Sequence, residues 1–138
     1  MNSENKPKIL TNISIEELQK ALKTLEEALL FAEQNQANEV QFKIARDACI
    51  QRFEYCIELS WKVSIKMLGS NTKFPKQAVR EMARADLILS AEKWLDFIEA
   101  RNSSSHSYDE ETAKTVFAQI LLFRTEVKSL IIQLEKFK

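Results

Sequence analysis

The sequence predicts an all-α protein, an up-and-down antiparallel bundle of four to five helices, on three observations. Glycine occurs once and proline twice in 138 residues, whereas sheet proteins need such residues for many tight turns. Apolar residues recur every three to four positions along most of the chain, which is helical spacing. The polar breaks between these stretches are short, so successive helices must fold back on one another. At this length a single domain over residues 1–138 is expected, large enough for one buried core.

Each element has its own warrant. Residues 1–12 are polar and aperiodic, and they are expected to form a flexible N-terminal segment. Ser14 and Glu17 make a capping box, in which hydroxyl and carboxylate each satisfy a backbone amide left over at a helix start. Ile15, Leu18, Leu22, Leu25, Leu29 and Ala32 then mark an apolar seam on a first helix that reaches about Gln36. After a polar break at residues 35–38, a second helix is expected over Glu39 to Leu68. Ile50, Phe53, Ile57, Trp61 and Leu68 mark its inner face. Gly69 stands where a left-handed cap would end that helix, and Pro75 suits the first turn of a third. Val79, Met82 and Ala83 face inward on the third helix, which is expected to end near Leu89. Ser90 can cap a short fourth helix that carries Trp94, Leu95, Phe97 and Ile98 into Arg101. The last helix, from about Asp109 to Phe137, has a wide stripe through Val116, Phe117, Ile120, Val127, Leu130 and Leu134. Its start is open, because Ser107 with Glu110 also makes a capping box.

Composition narrows the function. Twenty Lys and Arg balance twenty Asp and Glu, which disfavours indiscriminate binding of nucleic-acid phosphates. Neither an export signal nor a run of about 18 apolar residues is visible, so no membrane role and a cytoplasmic location are expected. Cys49 and Cys56 lie seven residues apart on a helix, about 10 Å at 1.5 Å per residue, beyond disulfide reach. They read as small core residues, not nucleophiles. One histidine and two distant cysteines cannot make a zinc site of ordinary spacing. Asp109, Glu110 and Glu111 fit the first turn of a helix better than a metal. A lone glycine excludes phosphate-binding glycine loops. No metal and no cofactor are expected.

Two places could carry chemistry. The first is the polar stretch Arg101-Asn102-Ser103-Ser104-Ser105-His106-Ser107-Tyr108, which holds the single histidine. His106 could move a proton while Arg101 stabilises charge on phosphate oxygens, a combination suited to metal-independent cleavage of RNA. Asn102 could orient either the imidazole or the phosphate. By residue types alone a plainer reading competes, with Arg101 capping a helix end and His106 simply at the surface. The second place is the basic line of Lys76, Arg80 and Arg84, four residues apart on the third helix. It is either a contact for RNA or an anionic partner, or a solvated helix face. Arg46, Arg52, Glu54 and Glu58 read as surface or interhelix pairs of little individual weight.

The order Arg101, His106, Tyr108, an Arg-x4-His-x-Tyr pattern after a short helix bearing Trp94, resembles the signature of HEPN domains (higher eukaryotes and prokaryotes nucleotide-binding). The string Gln51-Arg52-Phe53-Glu54-Tyr55-Cys56-Ile57-Glu58-Leu59-Ser60-Trp61-Lys62 is similar to one branch of that family. So are Arg80-Glu81 and the run from Trp94 to Glu110. That branch is the nucleotidyltransferase substrate-binding proteins, and the resemblance covers nearly all of the chain after Ile15. It implies a small antiparallel helical bundle that forms a homodimer and partners a separate minimal nucleotidyltransferase. It also implies one of two functions. The first is a toxin that cleaves RNA with Arg101 and His106 and is silenced by adenylylation of Tyr108. The second is a non-catalytic subunit that binds the substrate of a two-component nucleotidyltransferase.

Overall fold

The computed structural model describes residues 14–137, so the expected flexible segment lies outside the described residues. Five α-helices account for most of them: α1 (Ile15–Gln34), α2 (Glu39–Met67), α3 (Pro75–Arg84), α4 (Ala91–Ser103) and α5 (Glu110–Phe137). A single 3₁₀ turn, Ser104–His106, interrupts the passage from α4 to α5. No strand occurs among the described residues. The bundle is therefore the one expected, three long helices and two short ones.

Capping fixes most of the boundaries. Ser14 accepts from the Glu17 amide, Asn38 from that of Gln41, and Ser90 from that of Lys93. Each such cap stabilises its helix by about 1 kcal/mol. At the end of α2, the Ser70 amide reaches Ile65 O at 3.0 Å and the Gly69 amide reaches Lys66 O at 3.1 Å. This pattern requires the left-handed φ of 73° that Gly69 adopts.

One expected boundary is corrected, and one that the sequence left open is settled. The third helix stops at Arg84 and not near Leu89. Asp86 takes φ of 61° and closes the same double hydrogen-bond pattern, with Leu87 N to Met82 O at 3.0 Å and Asp86 N to Ala83 O at 3.1 Å. Aspartate tolerates this conformation, so the helix ends without a glycine to announce it. At the start of α5 the cap is Asp109 and not Ser107. Asp109 Oδ2 accepts from the Thr112 amide at 3.0 Å and from its hydroxyl at 2.9 Å. Glu110 is thereby free of the capping box and is used elsewhere.

The long helix α2 is the axis of the fold, packing against each of α1, α3, α4 and α5. At its middle the core is aromatic. Phe123 of α5 meets Phe53 of α2 and Trp94 and Phe97 of α4 edge to face, at ring-centroid distances of 5.1, 5.6 and 5.3 Å. All four rings are buried. Edge-to-face pairs add about 0.5–1.5 kcal/mol each beyond area burial. Cys49 and Cys56 are free thiols in this core, and burial pushes them up to about 11 and about 12. Ser60 and Ser64 are buried as well. Each donates to the carbonyl one turn back, at 2.8 and 2.7 Å, so neither hydroxyl is stranded. No helix among the described residues is long and apolar enough to cross a membrane.

Candidate functional site

The aromatic knot sets the position of the polar corner above it. Phe97 lies one helical turn before Arg101 on α4, and Phe53 immediately precedes Glu54 on α2. Packing those rings therefore brings the C-terminal end of α4 against the middle of α2. Arg101 falls in the last turn of α4, where the helix dipole favours a cation. The chain then tightens into the 3₁₀ turn, with Ser107 N to Ser104 O at 3.1 Å and Asp109 N to His106 O at 3.0 Å. These bonds close the corner before α5 begins.

The sequence-derived candidates divide into two groups on this corner. Arg101 turns toward α2, with Nη1 3.6 Å from Oε2 of Glu54. Its side chain is about one-third exposed, and Nε is buried without a hydrogen-bond partner. His106 is exposed and faces Tyr108, with Nδ1 3.2 Å from the phenol oxygen and the two rings at 72°. Tyr108 itself is 84% exposed. Arg101 and His106 make no hydrogen bond to each other. The Asn102 side chain is exposed, and its backbone carbonyl accepts from the Ser105 hydroxyl at 3.4 Å. The arrangement leaves Nε2 of His106 open, with Nδ1 committed to the tyrosine.

Four residues at this corner carry more weight than the sequence assigned them. Ser104 is 3% exposed. Its hydroxyl, with one proton to give, stands within reach of Glu54 Oε2 and of the Arg101 carbonyl, the latter at 2.7 Å. Arg46 is 5% exposed and forms a two-pronged pair with Glu110, both bonds at 2.9 Å. The Arg46 hydrogen bond, its charge and that of Lys43 hold the Glu110 carboxyl at about 2, well below its ordinary 4.5. Arg46 and Glu54 form interhelix pairs, one of the two arrangements expected of them, and each holds one end of the polar corner. A signal was present, since both lie four residues from Ile50, within the apolar stripe of α2. Arg52 and Glu58 have lighter duties, on Thr24 O at 2.8 Å and Trp61 Nε1 at 3.2 Å.

Two open grooves meet at Gln51 and Glu54. One, of about 720 Å³, is lined by Tyr55, Glu58, Lys62 and Arg101. The other, of about 610 Å³, is lined by Lys43, Arg46, Ser107 and Tyr108. The described residues contain no group of three or more His, Cys, Asp or Glu placed to hold a metal ion. Lys76 is ion-paired to Glu99 of α4, while Arg80 and Arg84 are exposed.

The family model described as nucleotidyltransferase substrate-binding-protein-like matches residues 13–136. The chain belongs to that family. It thus sits in the HEPN branch that Arg101, His106 and Tyr108 indicated. Within the branch, it is 30% identical over 136 residues to a probable ribonuclease, HepT, of Haemophilus influenzae, covering 90% of this chain and 93% of that one. A solved structure from the same organism, described as the substrate-binding domain of a nucleotidyltransferase, superposes with a TM-score of 0.78. It is 28% identical and covers 88% of this chain and 98% of that one. The all-helical fold is common to both chains.

Proposed function

We propose that this family member is a cytoplasmic, homodimeric HEPN subunit that partners a separate minimal nucleotidyltransferase and acts as a metal-independent endoribonuclease, the toxin of a toxin–antitoxin pair. The observation that carries the reading is His106, exposed on a tightened turn with Nδ1 engaged and Nε2 open. The likeness to a probable ribonuclease over most of both chains supports it. Nε2 takes the proton of a ribose 2′-hydroxyl as that oxygen attacks the neighbouring phosphorus, and the 5′-oxygen leaves with a proton. Arg101 offers its guanidinium to the charge that builds on the phosphoryl oxygens. One imidazole cannot serve as base and acid in the same step, so two chains pool their corners in the dimer. Asn102, exposed and next to Arg101 in the chain, touches the phosphate in this reading. Arg80 and Arg84, with Lys76, offer contacts to flanking RNA or to the partner.

Control falls to Tyr108. Transfer of an adenylyl group to its oxygen, with loss of pyrophosphate from ATP on the partner enzyme, places a bulky anion beside His106. Once esterified, the phenol oxygen is also a poorer acceptor for Nδ1–H, the bond that leaves Nε2 free to act as base, and the added charge repels the substrate phosphate.

Cleavage of RNA should persist in excess chelator and fall by about 10²–10⁴ in His106→Ala, with a comparable loss in Arg101→Ala. Unchanged cleavage in both variants refutes the assignment. After co-expression with the partner, intact mass should rise by adenylyl units, and the gain should vanish in Tyr108→Phe. A second reading is favoured by the family description and by the solved substrate-binding domain. There the chain is a non-catalytic subunit of a two-component nucleotidyltransferase. It requires that the isolated protein cleave nothing and that a small third molecule be nucleotidylated only when both subunits are present.

A further inference from the structure

We propose that Glu54 is the positioning residue of this corner, fixing the guanidinium of Arg101 and the turn that leads to His106; the inference rests on the reading of Arg101 as the phosphate-stabilising group. One carboxylate oxygen does both tasks. Glu54 Oε2 lies 3.6 Å from Arg101 Nη1 and accepts from the Ser104 hydroxyl. That hydroxyl in turn stands 2.7 Å from the carbonyl of Arg101. The side chain and the backbone of Arg101 are thereby joined through Ser104 and Glu54 into one closed circuit. The end of α4, the start of the 3₁₀ turn and the middle of α2 meet in it.

Charge and burial decide why an acid belongs there. Arg101 Nε is buried without a partner, so part of this cation is desolvated and no other described group opposes its charge. A carboxylate on Nη1 offsets that cost and stops the fork from swinging into solvent. Glu54 touches a single terminal nitrogen, which leaves the remaining edge of the fork for a phosphate. Glu54 is itself only 28% exposed, and α2 is anchored beneath it by Phe53. Its own position is therefore set by the core. Two turns earlier on the same face, Arg46 grips Glu110 at the far end of the corner. The corner is thus held to α2 at both ends, although only the Glu54 end acts directly on Arg101.

The test compares Glu54→Gln, Glu54→Ala and Ser104→Ala with Arg101→Ala on a single-stranded RNA oligonucleotide. Glu54→Gln keeps the size of the side chain and an acceptor for Ser104 but removes the charge, and Glu54→Ala removes both. Misplacing a reacting group by about 1 Å can cost on the order of 10²-fold. Glu54→Ala should therefore lower kcat about 10–100-fold with little change in KM, and Glu54→Gln should fall between it and the wild type. A purely structural role would instead lower the active fraction and leave kcat per folded molecule unchanged.

A second readout does not depend on cleavage. The rate at which phenylglyoxal modifies Arg101, followed by peptide mass, should rise in both Glu54 variants relative to the wild type. Wild-type kcat in both variants, or an Arg101 modification rate that does not move, overturns the proposal. If the wild type cleaves no RNA, the ribonuclease reading fails by itself. The phenylglyoxal rates then still decide whether Glu54 holds Arg101.

Discussion

Replacing Phe123 with alanine removes the ring on which three others converge. Phe123 is fully buried, and its edge-to-face partners Phe53, Trp94 and Phe97 come from α2 and α4. Truncating a buried phenylalanine costs about 3–5 kcal/mol, the lost transfer free energy plus the cavity left behind. The upper half of that range is expected here, because the three partner rings are themselves packed and cannot close the gap. For a chain of this length that upper half corresponds to a fall in Tm of roughly 14–17 °C. Phe123→Leu keeps most of the apolar volume and loses the ring edges, so its cost should be about 1–2 kcal/mol. The assay is urea unfolding followed by circular dichroism, with a thermal scan as a cross-check. A loss of no more than about 1 kcal/mol for the alanine variant, with an unchanged m-value, would refute the aromatic knot as the centre of stability. The same knot seats Arg101 and Glu54, so under the proposed ribonuclease function any residual Phe123→Ala fold should show weakened RNA cleavage at temperatures where it is still helical.

Two further outcomes follow from the charges and thiols. Glu110 is held near pH 2 when folded, against an ordinary value of 4.5. The stability that its bond to Arg46 contributes is therefore complete above about 4.5 and lost as the pH falls toward 2. Asp109, lowered by the Thr112 amide, acts in the same direction. Thermal scans between these limits should show a shallower acid-side decline in Glu110→Gln than in the wild type, and equal slopes would remove the Arg46 pair as a cause. Burial holds the Cys49 and Cys56 thiols at about 11 and about 12. Neither should react with a thiol reagent at pH 8 in the native protein, while both should react in denaturant; rapid native labelling would contradict their place in the core.

Spacing and punctuation in the sequence settled the class of fold and most helix boundaries. The seam from Ile15 to Ala32, the left-handed Gly69 and the caps at Ser14 and Ser90 act within a few residues of themselves, so local chemistry suffices to read them. The end of α3 was hidden because Asp86 adopts a conformation that sequence associates with glycine. The start of α5 stayed open because a start near Asp109 and a capping box of Ser107 with Glu110 are both competent on paper. Asp109 holds the cap through its bonds from Thr112, while Arg46 claims Glu110 across 64 residues.

The polar corner divides in the same way. Arg101, His106 and Tyr108 could be picked out from the sequence, because they share one short stretch and a family pattern. Their environment could not. The sequence by itself determined that a helical bundle would present an arginine, a histidine and a tyrosine at a turn. Only the tertiary structure decided that Arg101 faces Glu54, that Ser104 is buried beneath the turn, and that His106 looks instead to Tyr108. The reason is physical. Helical periodicity reports which side of a helix is apolar, but the partner of a charged side chain depends on how two helices far apart in sequence are set against each other. Here the packing of Phe53, Phe97 and Phe123 sets it.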